Sequence, residues 1–297
     1  MSASAAPCSA PVRPFPKSMP ELPEVETVRR GLTPRMAGHR IVKLHQRRRD
    51  LRVPLPKRFA EQVEGRRIEG IDRRAKYLLF RLEGGQTLIV HLGMSGRMTL
   101  HDAQSASEHP FGRHDHVVFD MDDGWQVRFN DARRFGLMLL VRTADLAKHK
   151  AFKGLGPEPL EDSFDGAALA ARLKGRKTPI KAALLDQKTL VGVGNIYACE
   201  ALFLSRISPR RSAHTVQGER ADKLVTAIKH VLLRSIDDGG STLRDHVQPG
   251  GELGYFQTRF NVYDRMGAVC PTDGCGRTVK RLVQSGRSTF YCTQCQR

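Results

Sequence analysis

Met19-Pro20-Glu21-Leu22-Pro23-Glu24 sets a proline beside two carboxyl groups, and a proline at a free amino terminus is a secondary amine. Such an amine has a pKa of roughly 8, against ~10.4 for lysine, so far more of it is deprotonated near neutrality. Inside a chain the same nitrogen is an amide and cannot attack anything. Pro20 is therefore a candidate nucleophile only in a mature chain that begins at Pro20, and residues 1–19 are expected to be absent from that form. Glu21, next to the nitrogen, has the chemistry of a general acid/base. As an acidic residue ahead of a helix it also suits the helix dipole without any catalytic role.

The second constellation is metal-binding. Cys270 and Cys275, then Cys292 and Cys295, form a C-x4-C, x16, C-x2-C array. That is the two-knuckle spacing of a tetrahedral four-thiolate zinc site, and four protein ligands leave no open position, so one structural Zn2+ is expected. The turn Pro271-Thr272-Asp273-Gly274 lets one pair of sulfurs point inward, and the segment between the pairs returns the second pair as a hairpin. At its tip stands Gln284-Ser285-Gly286-Arg287-Ser288-Thr289, where an arginine is suited to contact a phosphate. The other two cysteines lie apart: Cys8 in the amino-terminal segment and Cys199 in an apolar stretch that favours a buried, inert thiol.

Elements must position these groups. Val25, Val28, Leu32 and Met36 recur at helical spacing, which predicts a helix from just after the Pro-Glu pair to near Gly38. From about Ile41 to Val141 short apolar runs (77–82, 87–92, 116–121, 125–129 and 137–141) alternate with Gly-Gly and Asp-Asp-Gly turns, which predicts a β-sandwich or barrel. After Gly154-Leu155-Gly156-Pro157-Glu158-Pro159 helix formers dominate to Ile236. There Leu224, Ile228, Val231, Leu232 and Ile236 line one face, and Gly239-Gly240 supplies a stop. The region 241–256 reads as an exposed loop. Asn195, following Gly192-Val193-Gly194, is expected to cap a helix and to stand beside phosphate-binding amides.

Lys and Arg number 49 against 31 Asp and Glu, a net charge of +18. Such a balance favours a polyanionic partner, nucleic acid ahead of a membrane surface. No run of 18 apolar residues suggests a membrane span. Residues 1–18 carry Ser, Ala, Pro, Arg13 and Lys17 without an acid. They read as a tail or an upstream start, with an organellar transit peptide as the alternative. No heptads point to self-association, so a monomer without an obligate protein partner is expected.

Further motifs give the chain a family likeness. Arg73-Arg74-Ala75-Lys76-Tyr77-Leu78-Leu79, His91-Leu92-Gly93-Met94-Ser95-Gly96, Arg133-Arg134-Phe135-Gly136, Leu155-Gly156-Pro157-Glu158-Pro159-Leu160, Val191-Gly192-Val193-Gly194-Asn195-Ile196-Tyr197-Ala198 and Gly286-Arg287-Ser288-Thr289-Phe290-Tyr291-Cys292 join the Pro20 run and the cysteine array. Together they resemble the formamidopyrimidine-DNA glycosylase family over nearly all of 19–297. The resemblance implies an α+β multidomain fold. Its parts are a catalytic β-sandwich flanked by helices (20–150), a helix-two-turn-helix DNA-binding domain (155–258) with a lesion-recognition loop at about 241–255, and a zinc-finger β-hairpin (259–297).

The activity implied is excision of oxidised purines (8-oxoguanine, formamidopyrimidines) from double-stranded DNA, followed by strand cleavage through β,δ-elimination. In the family the proline nitrogen attacks C1′, and here that residue is Pro20, with Glu21 moving protons. Lys76, His91, Asn195 and Arg287 would surround the phosphates flanking the lesion, Lys76 within the catalytic group, and Lys181, near the site, would be a further DNA-binding residue. Met94, Arg133 and Phe135 would fill the stack vacated by the extruded base, the arginine facing the orphaned cytosine, with Arg134 beside them on the DNA. A bacterial cytoplasmic, nucleoid-associated enzyme follows. Two other readings stand beside it: an endonuclease VIII-like enzyme acting on oxidised pyrimidines, and a catalytically silent DNA-binding protein in which Pro20 stays blocked. The chain departs from the family pattern in its longer first zinc knuckle and in Ala132 and Asp264, which replace the usual Pro and Gly.

Overall fold

The computed structural model describes residues 19–240 and 260–297. Helix α1 spans Leu22–Met36, and Pro23 in its first turn fits where backbone N–H groups lack partners. At its start the Glu21 N–H donates to Glu24 Oε2 at 2.8 Å, half of a capping box. The β-rich region forms eight strands: β1 Ile41–Gln46, β2 Ile68–Arg74, β3 Tyr77–Leu82, β4 Gln86–His91, β5 Arg97–His101, β6 Asp115–Met121, β7 Gln126–Asn130 and β8 Leu137–Arg142. Two short helices, α2 (Phe59–Val63) and α3 (Ala103–Glu108), interrupt them.

The strands make two antiparallel four-stranded sheets, ordered β1-β6-β7-β5 and β2-β3-β4-β8. Their inward side chains, among them Phe80, Val90, Phe119, Val127 and Phe129, form one core. The sandwich expectation holds. The strands whose apolar pattern escapes the sequence, β1, β2 and β5, are all sheet edges, and edge strands carry charge that masks their period.

Four helices follow: α4 Gly166–Leu173, α5 Ile180–Leu185, α6 Asn195–Leu204 and α7 Glu219–Asp237. The predicted apolar face of α7 is buried, and Gly239 and Gly240, at φ 77° and 84°, end it through bonds to Ile236 O and Ser235 O. These helices build a second core, joined by Phe260, Val262, Tyr263 and Phe290 of the C-terminal module. Buried Glu200 on α6 clasps that module by accepting from the N–H groups of Asn261, Val262 and Tyr263. Helix α1 serves both cores. Leu22 packs among the helices, while Val25, Val28, Leu32 and Met36 pack under the sandwich. The first turn of α1 is thus pinned between the two layers.

Candidate active site and nucleic-acid interface

That pinned turn borders a cavity of about 250 Å³, lined by Met19, Glu21, Lys76, His91, Asn195 and Arg287 among others. Separate parts of the chain deliver these groups. Glu21 comes from the start of α1, Lys76 from the β2–β3 turn, His91 from the end of β4, and Asn195 from the start of α6. Arg287 opens β10 (Arg287–Tyr291), which pairs with β9 (Lys280–Gln284) across the turn Ser285-Gly286. Both turn residues have positive φ, the geometry of a tight hairpin.

Glu21 is the pivot of the site. Its carboxylate accepts from Gly194 N–H (2.7 Å) and Ile196 N–H (3.0 Å), so the acid caps α6. A Cβ on Gly194 would collide with Glu21 Cδ, which explains the glycine. Asn195 is therefore not the cap: the cap position is Gly194, and Asn195 is the first helical residue. A carboxylate from 173 residues earlier supplies what local spacing assigns to Asn195.

Burial pushes the Glu21 pKa up to about 7; Lys76 nearby lowers it, and Glu24 raises it. At neutral pH it is poised to give or take a proton. Burial lowers the Lys76 pKa, against the attraction of Glu21 and Glu24. His91, pushed down to about 4 chiefly by burial and then by Lys76, is neutral at pH 7. Its Nδ1 accepts from Gly93 N–H at 2.9 Å, so the proton resides on Nε2, which can donate to a phosphate oxygen. The Tyr77 ring packs 4.8 Å from the imidazole.

Glu24 joins the same network. Its Oε1 accepts from the Tyr197 hydroxyl at 2.5 Å, and that hydroxyl lies 2.6 Å from Ser235 Oγ on α7. Pro20 is buried, and its chain neighbours Met19 and Glu21 both line the cavity.

Lys181, expected among the DNA-binding residues, has its ammonium turned to partners within the chain. It is 0% exposed and donates to Asn195 Oδ1, Ser288 O and Thr289 Oγ1 at 2.6–2.9 Å. An ammonium has three protons, and these partners use all of them. Asn195 Nδ2 also donates to Ser288 O, so the pair ties the zinc hairpin to α6 and sets where Arg287 stands.

The stack-filling candidates occupy two loops on the sandwich. Met94 is half-buried, Phe135 is 44% exposed, and the Arg133 guanidinium lies 4.7 Å from the Phe135 ring centre. Arg134 is exposed beside them, at φ 57°. Gly93, at φ 69°, lets the loops touch, since a Cβ there would collide with the Phe135 carbonyl carbon. Asp131, fully buried, binds both loops: Ser95 Oγ donates to one oxygen (2.5 Å) and Gly136 N–H to the other (2.8 Å). Sequence reasoning passes over Asp131, although an acid between an apolar strand and Arg-Arg-Phe is a usable signal. The lesion-recognition loop at about 241–255 lies outside the described residues.

The cysteines converge as expected. The four sulfurs lie within 4.8 Å of one another, with pairs at 3.8, 3.6 and 3.4 Å. A tetrahedral zinc with bonds of about 2.3 Å needs sulfurs about 3.8 Å apart, so the quartet fits the ion. The longer first knuckle still closes, through a Cys275 N–H bond to Thr272 O. Asp264, at φ 56°, adopts the left-handed conformation that explains a glycine elsewhere in the family pattern. Cys199 is buried, and burial pushes its thiol up to about 11, which leaves little thiolate at neutral pH.

Residues 19–138 match the formamidopyrimidine-DNA glycosylase N-terminal domain, 155–247 the H2TH domain of that enzyme, and 267–297 a zinc finger found in FPG and IleRS. The formamidopyrimidine-DNA glycosylase of Cereibacter sphaeroides strain KD131 is 55% identical over 283 residues, covering 94% of this chain and 100% of the relative. The MutM (Fpg) crystal structure from Thermus thermophilus superposes with a TM-score of 0.80 at 43% identity, over 93% of this chain and 98% of that one. Lactococcus lactis Fpg in complex with abasic-site DNA gives 0.83 at 32% identity, over 93% and 99%.

Proposed function

Because this chain belongs to the formamidopyrimidine-DNA glycosylase family, we propose that it excises oxidised purines from double-stranded DNA through the Pro20 nitrogen and then cleaves the strand. The observation that carries this reading is the convergence of Glu21, Lys76, His91, Asn195 and Arg287 on one cavity beside Pro20. The match to the family begins at residue 19, and 94% of this chain covers the whole of its relatives, in keeping with a mature start at Pro20. Loss of Met19 and what precedes it turns the amide into an amine and vacates one wall of the cavity.

The chemistry then follows from the groups present. The amine lone pair attacks C1′ of the extruded nucleotide, the bond from C1′ to the base breaks, and the base leaves with a proton. Opening of the sugar ring gives an iminium at C1′, which acidifies the C2′ proton. Loss of that proton expels the 3′ phosphate, and a second elimination expels the 5′ phosphate. Glu21, titrating near neutrality, moves these protons. Lys76, neutral His91 and Arg287 hold the flanking phosphates, while Met94, Arg133 and Phe135 fill the vacated stack and Arg134 supports them on the duplex.

The zinc quartet holds the hairpin that carries Arg287. Domains at 20–150, 155–258 and 259–297 supply, in turn, chemistry, duplex binding and this hairpin. Among the described residues no helix is long and apolar enough to cross a membrane. The workplace in this reading is the bacterial cytoplasm at the nucleoid.

The test uses the chain beginning at Pro20 on duplexes carrying 8-oxoguanine opposite cytosine or thymine glycol. The purine lesion is expected to be released at least roughly tenfold faster, a discrimination that pocket contacts ordinarily supply. Equal or faster release of thymine glycol would contradict it.

A further inference from the structure

The segment 155–160 separates the two cores, and Glu158 within it is 7% exposed. Its Oε1 accepts from Ala75 N–H (2.6 Å) and Arg74 Nη1 (2.8 Å), and its Oε2 from Arg73 Nη1 (2.6 Å). Arg73 also reaches Glu26 on α1 (3.2 Å), and Arg74 Nη2 donates to Gly156 O (2.6 Å). All three donors to Glu158 come from the end of β2 and the turn that follows it. Since Arg74 pairs with Tyr77, the turn itself is Ala75-Lys76.

Ala75 has φ 54°, a left-handed conformation uncommon for a residue with a side chain. The bond to its N–H is therefore placed where the turn most needs holding. On its other flank the linker grips the loop that leads to α6: Gly156 N–H donates to Gln187 O (2.8 Å), and Val191 N–H donates to Pro157 O (3.1 Å). One short segment thus touches the turn that carries Lys76 and the loop that carries Gly194, the cap partner of Glu21.

We propose that Glu158 is a positioning residue: it fixes the Ala75-Lys76 turn against the second core and so sets where the Lys76 ammonium stands relative to Glu21. This rests on the glycosylase reading above. Burial opposes ionisation of Glu158, but Arg73, the Ala75 N–H and Arg74 outweigh it and hold the carboxyl below the usual range. The linker is thereby charged at neutral pH and clasps two guanidinium groups. A purely structural ion-pair cluster would support the fold without any special dependence on Lys76.

A double-mutant cycle on single-turnover excision of 8-oxoguanine separates the two, using the full zinc-loaded chain begun at Pro20. Glu158→Gln keeps the size of the side chain and removes its charge. It is expected to slow excision roughly 10- to 100-fold, as small misplacements of a catalytic group do, with DNA affinity changed less than about threefold. Lys76→Ala alone and Lys76→Ala with Glu158→Gln are expected to agree within about twofold, because the linker acts through the lysine. Multiplicative losses, or an unimpaired Glu158→Gln, would overturn the proposal. If Glu158→Gln lacks zinc or a cooperative melt, Arg74→Gln, which loosens the same clasp from a more exposed side chain, is judged by the same outcomes. A wild-type chain that releases no base would instead count against the glycosylase reading itself.

Discussion

Glu21→Gln in the chain begun at Pro20 is expected to slow base excision roughly 10²- to 10⁴-fold, the usual worth of a positioned acid or base, with little change in DNA affinity. Gln matches the shape of Glu21 but cannot exchange a proton. It keeps only one acceptor oxygen for the two amides, Gly194 and Ile196, that the carboxylate now satisfies. Dependence on pH separates the loss of proton transfer from the loss of the cap. With a pKa of about 7, Glu21 loses its proton as pH rises through neutrality, and the limb of the pH–rate profile near that value should vanish in the variant.

The sign for stability follows from the same shift. The folded chain holds the proton more tightly than the unfolded chain, where the pKa is 4.5. Glu21 therefore contributes stability that is full below about pH 4.5 and is lost as pH rises through about 7. Because Gln does not titrate, the stability of the wild-type chain relative to Glu21→Gln should fall as pH rises across that window, read from melting curves of the two proteins. A limb near pH 7 that persists in Glu21→Gln would assign it to another group.

Removing the zinc is expected to have the second large effect. Structural zinc sites bind with apparent free energies of about 10–16 kcal/mol in isolated fingers, so a module of this size should not keep its fold without the ion. Cys292→Ser, or exhaustive chelation, should therefore release the β9–β10 hairpin. Arg287 goes with it, as do the acceptors at Ser288 and Thr289 that hold Lys181. Loss of those two acceptors leaves a buried ammonium with only Asn195, which loosens the start of α6 as well. DNA affinity measured by fluorescence anisotropy should fall by roughly 100-fold or more, a size expected when several phosphate contacts are lost together. The sandwich core, built without the module, should still melt cooperatively. Undiminished DNA binding by metal-free protein would contradict this role for the hairpin.

Much of this architecture is legible in the chain itself, and the reasons differ by element. The cysteine quartet is readable because ligand spacing is local, and the central strands because burial on both sides of a sheet leaves unbroken apolar runs. Strands β1, β2 and β5 are not, since their charged residues face solvent at sheet edges. The cap of α6 falls to Asn195 under a rule that looks along the sequence, whereas the oxygen arrives from Glu21 across the fold. Lys181 shows the same limit. A lysine is read as a surface or phosphate-facing group until its partners are known, and all three of these lie elsewhere in the chain. Asp131 and Glu158 organise loops through bonds to backbone N–H groups, and no residue spacing announces such bonds.

The central claim is that the nitrogen of Pro20 forms the covalent bond to DNA. Borohydride reduction during turnover of 8-oxoguanine duplex by the chain begun at Pro20, followed by peptide mass mapping, measures it most directly. The adduct is predicted on the Pro20 nitrogen, and no adduct should form when that nitrogen is acetylated or remains joined to Met19. An adduct on Lys76 or another lysine, or trapping that survives the block, would contradict it.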